Sequence, residues 1–283
     1  MRYTTIANTS VPILGLGTWM MGLDATKRDA ELATFRAALQ HHGASLIDTA
    51  EMYGEGLSEA LVGQYLATAK RDDYYIISKI LPDNAIAGLY EERCRRSLQL
   101  LGIDHLDLYL LHWPSTVPLQ PMVHAMERLV SLGLIRHWGV SNFDVHEMEA
   151  LFRCEGGQNC CVNQVLYNLS NRGIEYDLIP WCRAHGVQIM AYSPLGDDTA
   201  GRHLMTRTQA VKTLAAKYDV APEAILLAFV IRDGIINTVF KTASIDHLDA
   251  NMQALEITLT SEDLQLLSET FPAPTAKVPL QKI

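Results

Sequence analysis

Tyr74-Tyr75-Ile76-Ile77-Ser78-Lys79, a helical stretch over residues 84–101, and then Leu106-Asp107-Leu108-Tyr109-Leu110-Leu111 followed by His112 make the run that decides the fold. Both short runs are apolar through the middle and give way to an ionisable residue at the end. Short apolar runs bounded by polar residues read as buried strands, and the longer stretch between them has helical spacing. Strand, helix, strand is the unit of a parallel sheet.

Working outward from this unit, the same alternation fills the chain. Strands are expected at 13–16, 45–48, 135–141, 161–164, 188–192 and 238–241. Helices are expected at 24–42, 57–69, 121–132, from Asp144 onward, and at 174–185, 206–218, 221–232, 245–255 and 261–269. Asp144 with Glu147 three residues on has the pattern of a capping box. Pro222 sits near the first turn of its helix, where its missing N–H costs nothing. Eight strand–helix units predict a closed (β/α)8 barrel of the TIM type with two extra helices. An open doubly wound sheet is the rival architecture. Residues 2–6 and 11–13 suggest a β-hairpin plugging the barrel floor. No repeat beyond the unit and no linker-like composition interrupts the chain, so residues 1–283 are read as one domain.

The chain of 283 residues is long enough to bury a full core. A formal net charge of -9 argues against a general nucleic-acid or anionic-membrane surface. Cys94, Cys154, Cys160, Cys161 and Cys182 show neither a C-x-x-C pair nor zinc spacing, so no metal is expected and the thiols are read as reduced. His41, His42 and His124 likewise show no metal spacing. With no apolar leader at Met1-Arg2-Tyr3 and no run long enough to span a bilayer, a cytoplasmic protein is expected. Gly15-x-Gly17 lacks the third glycine of a dinucleotide fingerprint, because Met20 stands there, and is read as a tight turn.

In such barrels the active site lies at the C-terminal ends of the strands. The residues that end the runs are Asp48, Lys79, His112, Ser141 with Asn142, Gln164, Tyr192 and Lys241. Tyr53 follows Asp48 by five residues. A phenol ordinarily titrates near pH ~10 and donates poorly at neutral pH unless its anion is stabilised. An ammonium about 4 Å away is worth about 4 kcal/mol at an effective dielectric of ~20, which bounds the lowering at roughly three pKa units. Lys79 is the expected ammonium and Asp48 its counter-ion. His112 is placed to bond and orient a carbonyl oxygen. The set describes a proton-donating site without a covalent nucleophile.

These stretches resemble the aldo-keto reductase family over nearly the whole chain. The motifs are Gly15-Leu16-Gly17-Thr18-Trp19, Asp48-Thr49-Ala50-Glu51-Met52-Tyr53-Gly54, Ser78-Lys79, Leu111-His112-Trp113-Pro114, Gly139-Val140-Ser141-Asn142-Phe143, Asn163-Gln164, Ala191-Tyr192-Ser193-Pro194-Leu195-Gly196 and Lys241-Thr242. The resemblance implies hydride transfer from a nicotinamide to a carbonyl carbon, with Tyr53 as proton donor and Asp48, Lys79 and His112 completing a tetrad. It implies that Ser141, Asn142 and Gln164 hold the carboxamide and that Tyr192 stacks on the nicotinamide. Ser193 and Leu195 fall on the pyrophosphate loop, Lys241 and Thr242 at the adenosine 2′-phosphate, and Asn251 near the adenine. Gly17, Thr18 and Trp19 border the cofactor, while Trp19, Tyr53, His112 and Trp113 line the substrate pocket.

One departure bears on the cofactor. The family commonly has an arginine where this chain has His247, and an imidazole is not a guanidinium fork. Lys241 still favours NADPH, and NADH is not excluded. Asp197, beside the pyrophosphate loop, is given no binding role. Within the family, Asn163-Gln164-Val165-Leu166-Tyr167 and Arg172-Gly173-Ile174-Glu175-Tyr176-Asp177-Leu178 resemble bacterial members described as methylglyoxal reductases. Short loops at 19–24, 113–118 and 196–204 imply a wide mouth and small aldehyde or ketoaldehyde substrates. The family is often monomeric. Two rival readings stay open on sequence: a nucleotide-binding regulatory protein with little turnover, and a barrel enzyme using Lys79 as a Schiff-base amine.

Overall fold

The computed structural model describes residues 1–85, 88–116 and 118–283. The chain opens with an antiparallel hairpin of β1 (Tyr3–Ile6) and β2 (Thr9–Pro12). Eight parallel strands then close into a barrel: β3 (Leu14–Gly17), β4 (Leu46–Asp48), β5 (Tyr75–Ile80), β6 (Leu106–Leu111), β7 (Ile135–Ser141), β8 (Val162–Leu166), β9 (Gln188–Tyr192) and β10 (Asn237–Phe240). β10 pairs with both β9 and β3, which completes the ring. The fold is the (β/α)8 barrel that the sequence predicts, and the open-sheet rival falls.

Strand geometry sorts the core into two layers. Alternate side chains of a strand point to opposite faces. Leu46, Tyr75, Ile77, Leu108, Leu110, Val162, Met190 and Val239 pack together inside the barrel, joined by Ile6 and Val11 of the hairpin. The hairpin therefore closes the barrel floor, as expected. Ile76, Ile80, Tyr109, Leu111, Trp138 and Val140 face the other way and pack with the helices. The inner parity continues upward to Asp48, Lys79, His112, Ser141, Gln164 and Tyr192, so the barrel's own alternation delivers these groups to its mouth. Gly15 is part of this logic and not of a turn. It lies within β3, where a Cβ would come 2.4 Å from Leu46 Cδ2 and 2.9 Å from the Leu46 carbonyl oxygen.

The surrounding helices include α1 (Arg28–His42), α2 (Leu57–Leu66), α3 (Leu89–Leu101), α4 (Leu119–Ser131), α5 (Val145–Phe152) and α6 (Leu178–Ala184). Residues 86 and 87 of the expected helix 84–101, and residue 117 of the loop 113–118, lie outside the described residues. The Asp144–Glu147 capping box forms. The expected helix 174–185 begins instead as a short 3-10 turn at Gly173–Glu175.

The largest boundary difference lies between β9 and β10. There the chain forms α7 (Thr199–Thr206), α8 (Gln209–Tyr218) and α9 (Pro222–Val230), where 196–204 was expected as loop and 206–218 as one helix. Two caps explain the change. Asp198 Oδ1 accepts the Gly201 N–H at 2.6 Å and starts α7. Thr208 Oγ1 then accepts the Val211 N–H and caps a fresh helix that starts at Gln209. A side chain that satisfies otherwise unpaired N–H groups stabilises a helix start by ~1 kcal/mol. The final helices are α10 (Ile245–Met252) and α11 (Ser261–Thr270). All five cysteines are free. Among the described residues, no helix is long and apolar enough to cross a membrane.

Candidate active site

Three strand ends build the chemical centre. Lys79, on β5, is wholly buried. Its Nζ donates to Asp48 Oδ2 at 2.7 Å, to the Thr49 carbonyl at 2.9 Å and to the Tyr53 hydroxyl at 3.1 Å. The loop carrying Tyr53 is tied to the same strand, because Glu51 N–H donates to the Lys79 carbonyl at 3.2 Å. Glu51 Oε1 then accepts from Leu81 N–H at 2.6 Å and from Asn84 Nδ2 at 3.0 Å. Tyr53 stands between Trp19, whose ring centroid is 5.0 Å away, and His112 at 5.8 Å, both edge-on.

The electrostatics follow from burial in this cluster. Burial works against the Lys79 charge, but Asp48 and Tyr53 outweigh it and hold the ammonium above its ordinary pKa. An amine kept charged in this way is a poor nucleophile, which weighs against the Schiff-base reading. Burial, and then Lys79, push the His112 imidazole down to about 2, so it is neutral and able to donate one hydrogen bond. The Tyr53 phenol is raised. Burial is the largest cause, Lys79 pulls it down, and Asp48 pushes it up. The expected lowering by Lys79 is thus present but outweighed, because the phenolate would be desolvated and Asp48 offsets part of the ammonium's field. Tyr53 is therefore a phenol that keeps its proton at neutral pH.

A second network extends across the mouth. Gln164 Nε2 donates to Asp48 Oδ1 at 2.8 Å. Ser141 Oγ donates to the Gln164 carbonyl at 2.8 Å, and Tyr192 donates its hydroxyl to Asn142 Oδ1 at 2.8 Å. Asn142 Nδ2 donates to the His112 carbonyl at 3.2 Å. Asn142 has φ +62° and Ser193 φ +49°. Such conformations cost free energy outside glycine and cluster at functional sites. A cavity of about 880 Å³ opens above these groups. Gly17, Trp19, Asp48, Tyr53, His112, Trp113, Ser141, Asn142, Gln164, Tyr192, Ser193, Leu195 and Lys241 line it.

The aldo/keto reductase family profile matches residues 13–270. Methylglyoxal reductase YeaE of Escherichia coli K12 is 41% identical over 276 residues, covering 98% of this chain and 96% of the relative. An aldo/keto reductase from Klebsiella pneumoniae, solved with NADP and acetate, is 42% identical with a TM-score of 0.96, covering all of this chain and 99% of the other. An aldo-keto reductase from the same organism, solved with NADPH, is also 42% identical, with a TM-score of 0.95 and full coverage of both chains. This chain belongs to the aldo/keto reductase family.

Against the family's residue pattern, the structure gathers most expected positions at one mouth and leaves five off the cavity wall. Lys79 lies beneath it, bonded to Tyr53 from below. Thr18 is fully buried, and its backbone carbonyl accepts from Ser58 Oγ at 3.2 Å. Thr242 is turned inward and shares hydrogen bonds with Ser244. His247 is exposed in the first turn of α10, its N–H capped by Ser244 Oγ at 3.3 Å. Asn251 is buried on the same helix.

The cavity also includes residues that this aldo-keto reductase's sequence did not single out. Asp197 is on the wall with Asp198 and Arg202 of the α7 segment. Met20 and Ile283 line it as well. Met20 lies in the expected loop 19–24 and carries φ +62°, but in the sequence it marks only the missing third glycine of a fingerprint. Ile283 reaches the mouth because the tail is pinned to the barrel rim: Lys277 pairs with Asp144 and Asp177, and Lys282 Nζ lies 3.9 Å from Glu147.

Proposed function

We propose that this oxidoreductase reduces the carbonyl of small aldehydes and ketoaldehydes, methylglyoxal among them, to an alcohol, with NADPH as reductant and Tyr53 as proton donor. One observation carries the reading: the Tyr53 hydroxyl stands 3.1 Å from a buried Lys79 ammonium, itself 2.7 Å from Asp48, at the base of the mouth cavity. The methylglyoxal reductase from Escherichia coli and the two Klebsiella structures with NADP and NADPH support the substrate class and the cofactor.

The residues present fit the cofactor. Gln164 spends its Nε2 on Asp48, which leaves its Oε1 to accept from a carboxamide, with Ser141 and Asn142 beside it. The Tyr192 ring supplies an aromatic face. Ser193 and Leu195 would take the pyrophosphate and Lys241 the 2′-phosphate from the cavity wall, with Gly17 and Trp19 beside them; Thr18, Thr242 and Asn251 are buried behind that wall and would back the site without lining it. Bound NADPH supplies the hydride that the carbonyl carbon accepts.

The chain's own residues do the rest. Trp19, Tyr53, His112 and Trp113 form the pocket that holds the substrate and limits its hydration. The neutral His112 donates a hydrogen bond to the carbonyl oxygen and orients it toward Tyr53. As negative charge grows on that oxygen, the phenol gives it a proton. The Lys79 ammonium then stabilises the phenolate, and Asp48 keeps Lys79 charged and in place. Such electrostatic support acts strongly because the groups are dry and already oriented. The test is an oxidation assay with NADPH and NADH against a panel of aldehydes including methylglyoxal. Turnover with methylglyoxal, faster with NADPH, is expected. Nucleotide binding without turnover of any aldehyde would favour a regulatory protein on the same fold.

A further inference from the structure

Two cationic side chains, Lys241 and Arg202, line the mouth cavity, and only Lys241 has a role in the cofactor reading. Arg202 is the fourth residue of α7. Its backbone is packed against the Ser193–Gly196 loop: a Cβ on Gly196, which has φ +96°, would lie 2.7 Å from the Arg202 nitrogen. The neighbouring acids do not claim its guanidinium. Asp198 Oδ1 accepts from Gly201 N–H at 2.6 Å, and Asp197 Oδ1 from Asp198 N–H at 3.0 Å. Among the described residues, the Arg202 side chain has no hydrogen-bond or ion-pair partner. It is a half-buried cation facing the cavity without a counter-ion.

Its place in the barrel specifies the anion. In this fold, phosphates bind at the loops after the seventh and eighth strands. Those strands are β9 and β10 here, and Arg202 and Lys241 stand one after each. Lys241 is on the β10 side, with Thr242 and the adenosine positions. Arg202 is on the β9 side, against the loop given to the pyrophosphate. A guanidinium grips phosphate oxygens with two parallel N–H donors. Two exposed carboxylates, Asp197 and Asp198, share that wall, and an anion binding there requires a cation to offset them. The position usually given to the arginine fork, His247, is off the wall.

We infer that Arg202 is a ligand of the cofactor's pyrophosphate, supplying from α7 a phosphate grip that His247 does not supply from α10. This rests on the cofactor reading under Proposed function. Because NADPH and NADH share the pyrophosphate, Arg202 raises affinity for both alike, and discrimination between them is left to Lys241.

The experiment is equilibrium fluorescence titration of the full chain and its R202Q and R202K variants with NADPH, NADH and adenosine 2′-phosphate, which lacks the pyrophosphate. R202Q is expected to raise Kd for NADPH and NADH by the same factor, about tenfold or more, the size of a lost hydrogen bond to a charged group. Adenosine 2′-phosphate should bind R202Q and wild type alike, and R202K should give dinucleotide Kd values between the two. Two results overturn the inference: Kd values for both dinucleotides within twofold of wild type, or a loss confined to NADPH and adenosine 2′-phosphate, which would put the guanidinium on the 2′-phosphate. A wild-type chain that binds neither dinucleotide overturns the cofactor reading itself, and this inference with it. Matching thermal melts of R202Q and wild type exclude misfolding as the cause.

Discussion

The two halves of the barrel mouth are built on opposite plans. On the β4–β6 side, Asp48, Lys79 and His112 are buried, and Asp48 and Lys79 are bonded to each other and to their surroundings. On the β9–β10 side, Lys241, Asp197 and Asp198 are exposed, Ser193, Leu195 and Arg202 are half-buried, and a helix stands where a loop was expected. Proton transfer needs charges fixed in a low-dielectric setting, where an ion pair's geometry is decisive. Holding a large anionic ligand needs an open groove lined with cations that can still meet solvent. Under the proposed function one mouth would serve both, the first half made by strand ends and the second by the loops and the helix beyond them.

The sharpest way to break this contrast is Tyr53→Phe. Removing the proton should cut kcat/KM for methylglyoxal by about a hundred- to ten-thousandfold. NADPH affinity, which belongs to the other half, should stay near normal. Steady-state kinetics with a parallel fluorescence titration checks both arms, and retained turnover would remove Tyr53 as the acid.

Lys79→Met comes next. It takes the ammonium from Tyr53 and leaves Asp48 buried without its counter-ion. Unfolding free energy should fall by about 3–5 kcal/mol in a urea titration, with activity severely reduced. A variant as stable as wild type, with an unchanged pH–rate profile, would contradict the fixed-charge plan.

His112 tests the same plan through pH. Its folded pKa is pushed down to about 2, whereas an unfolded imidazole titrates near ~6.5. The unfolded chain therefore binds the proton first as pH falls. The contribution is fully present above pH ~6.5 and is lost progressively as pH drops toward ~2, by up to about 1.4 kcal/mol per pH unit. Between pH ~6.5 and ~5, wild type should lose about 1.6 kcal/mol more stability than His112→Gln. Equal losses in the two proteins would mean that His112 is not held neutral by burial.

The smallest effect belongs to the open half. His247 is exposed on α10, so His247→Arg should tighten NADPH only a few-fold by reaching toward the 2′-phosphate, and should leave NADH unchanged. Equal tightening of both cofactors would show that position 247 acts by general charge alone.

The buried half was legible because it follows from periodicity. Counting by two along each strand from an apolar interior brings Asp48, Lys79, His112, Gln164 and Tyr192 to one face at one end, and the structure keeps that parity. Reading the other half failed where short polar caps decide. Gly196-Asp197-Asp198-Thr199 has the composition of a loop, yet Asp198 starts a helix there and so brings Arg202 to the cavity. Ile283 was invisible for a different reason: it reaches the mouth through ion pairs from Lys277 to Asp144 and Asp177, about a hundred positions or more earlier in the chain.

From the residues alone came the closed barrel, the hairpin at its floor, and which side chains share its mouth, because strand alternation and apolar runs are local properties that the chain carries in order. Only the tertiary structure decided the sign of the Tyr53 shift, the displacement of His247 from the cavity, and the arrival of Arg202 in it. Those depend on how much water is excluded from a point in space and on what stands across from it, and neither is a property of neighbours in sequence.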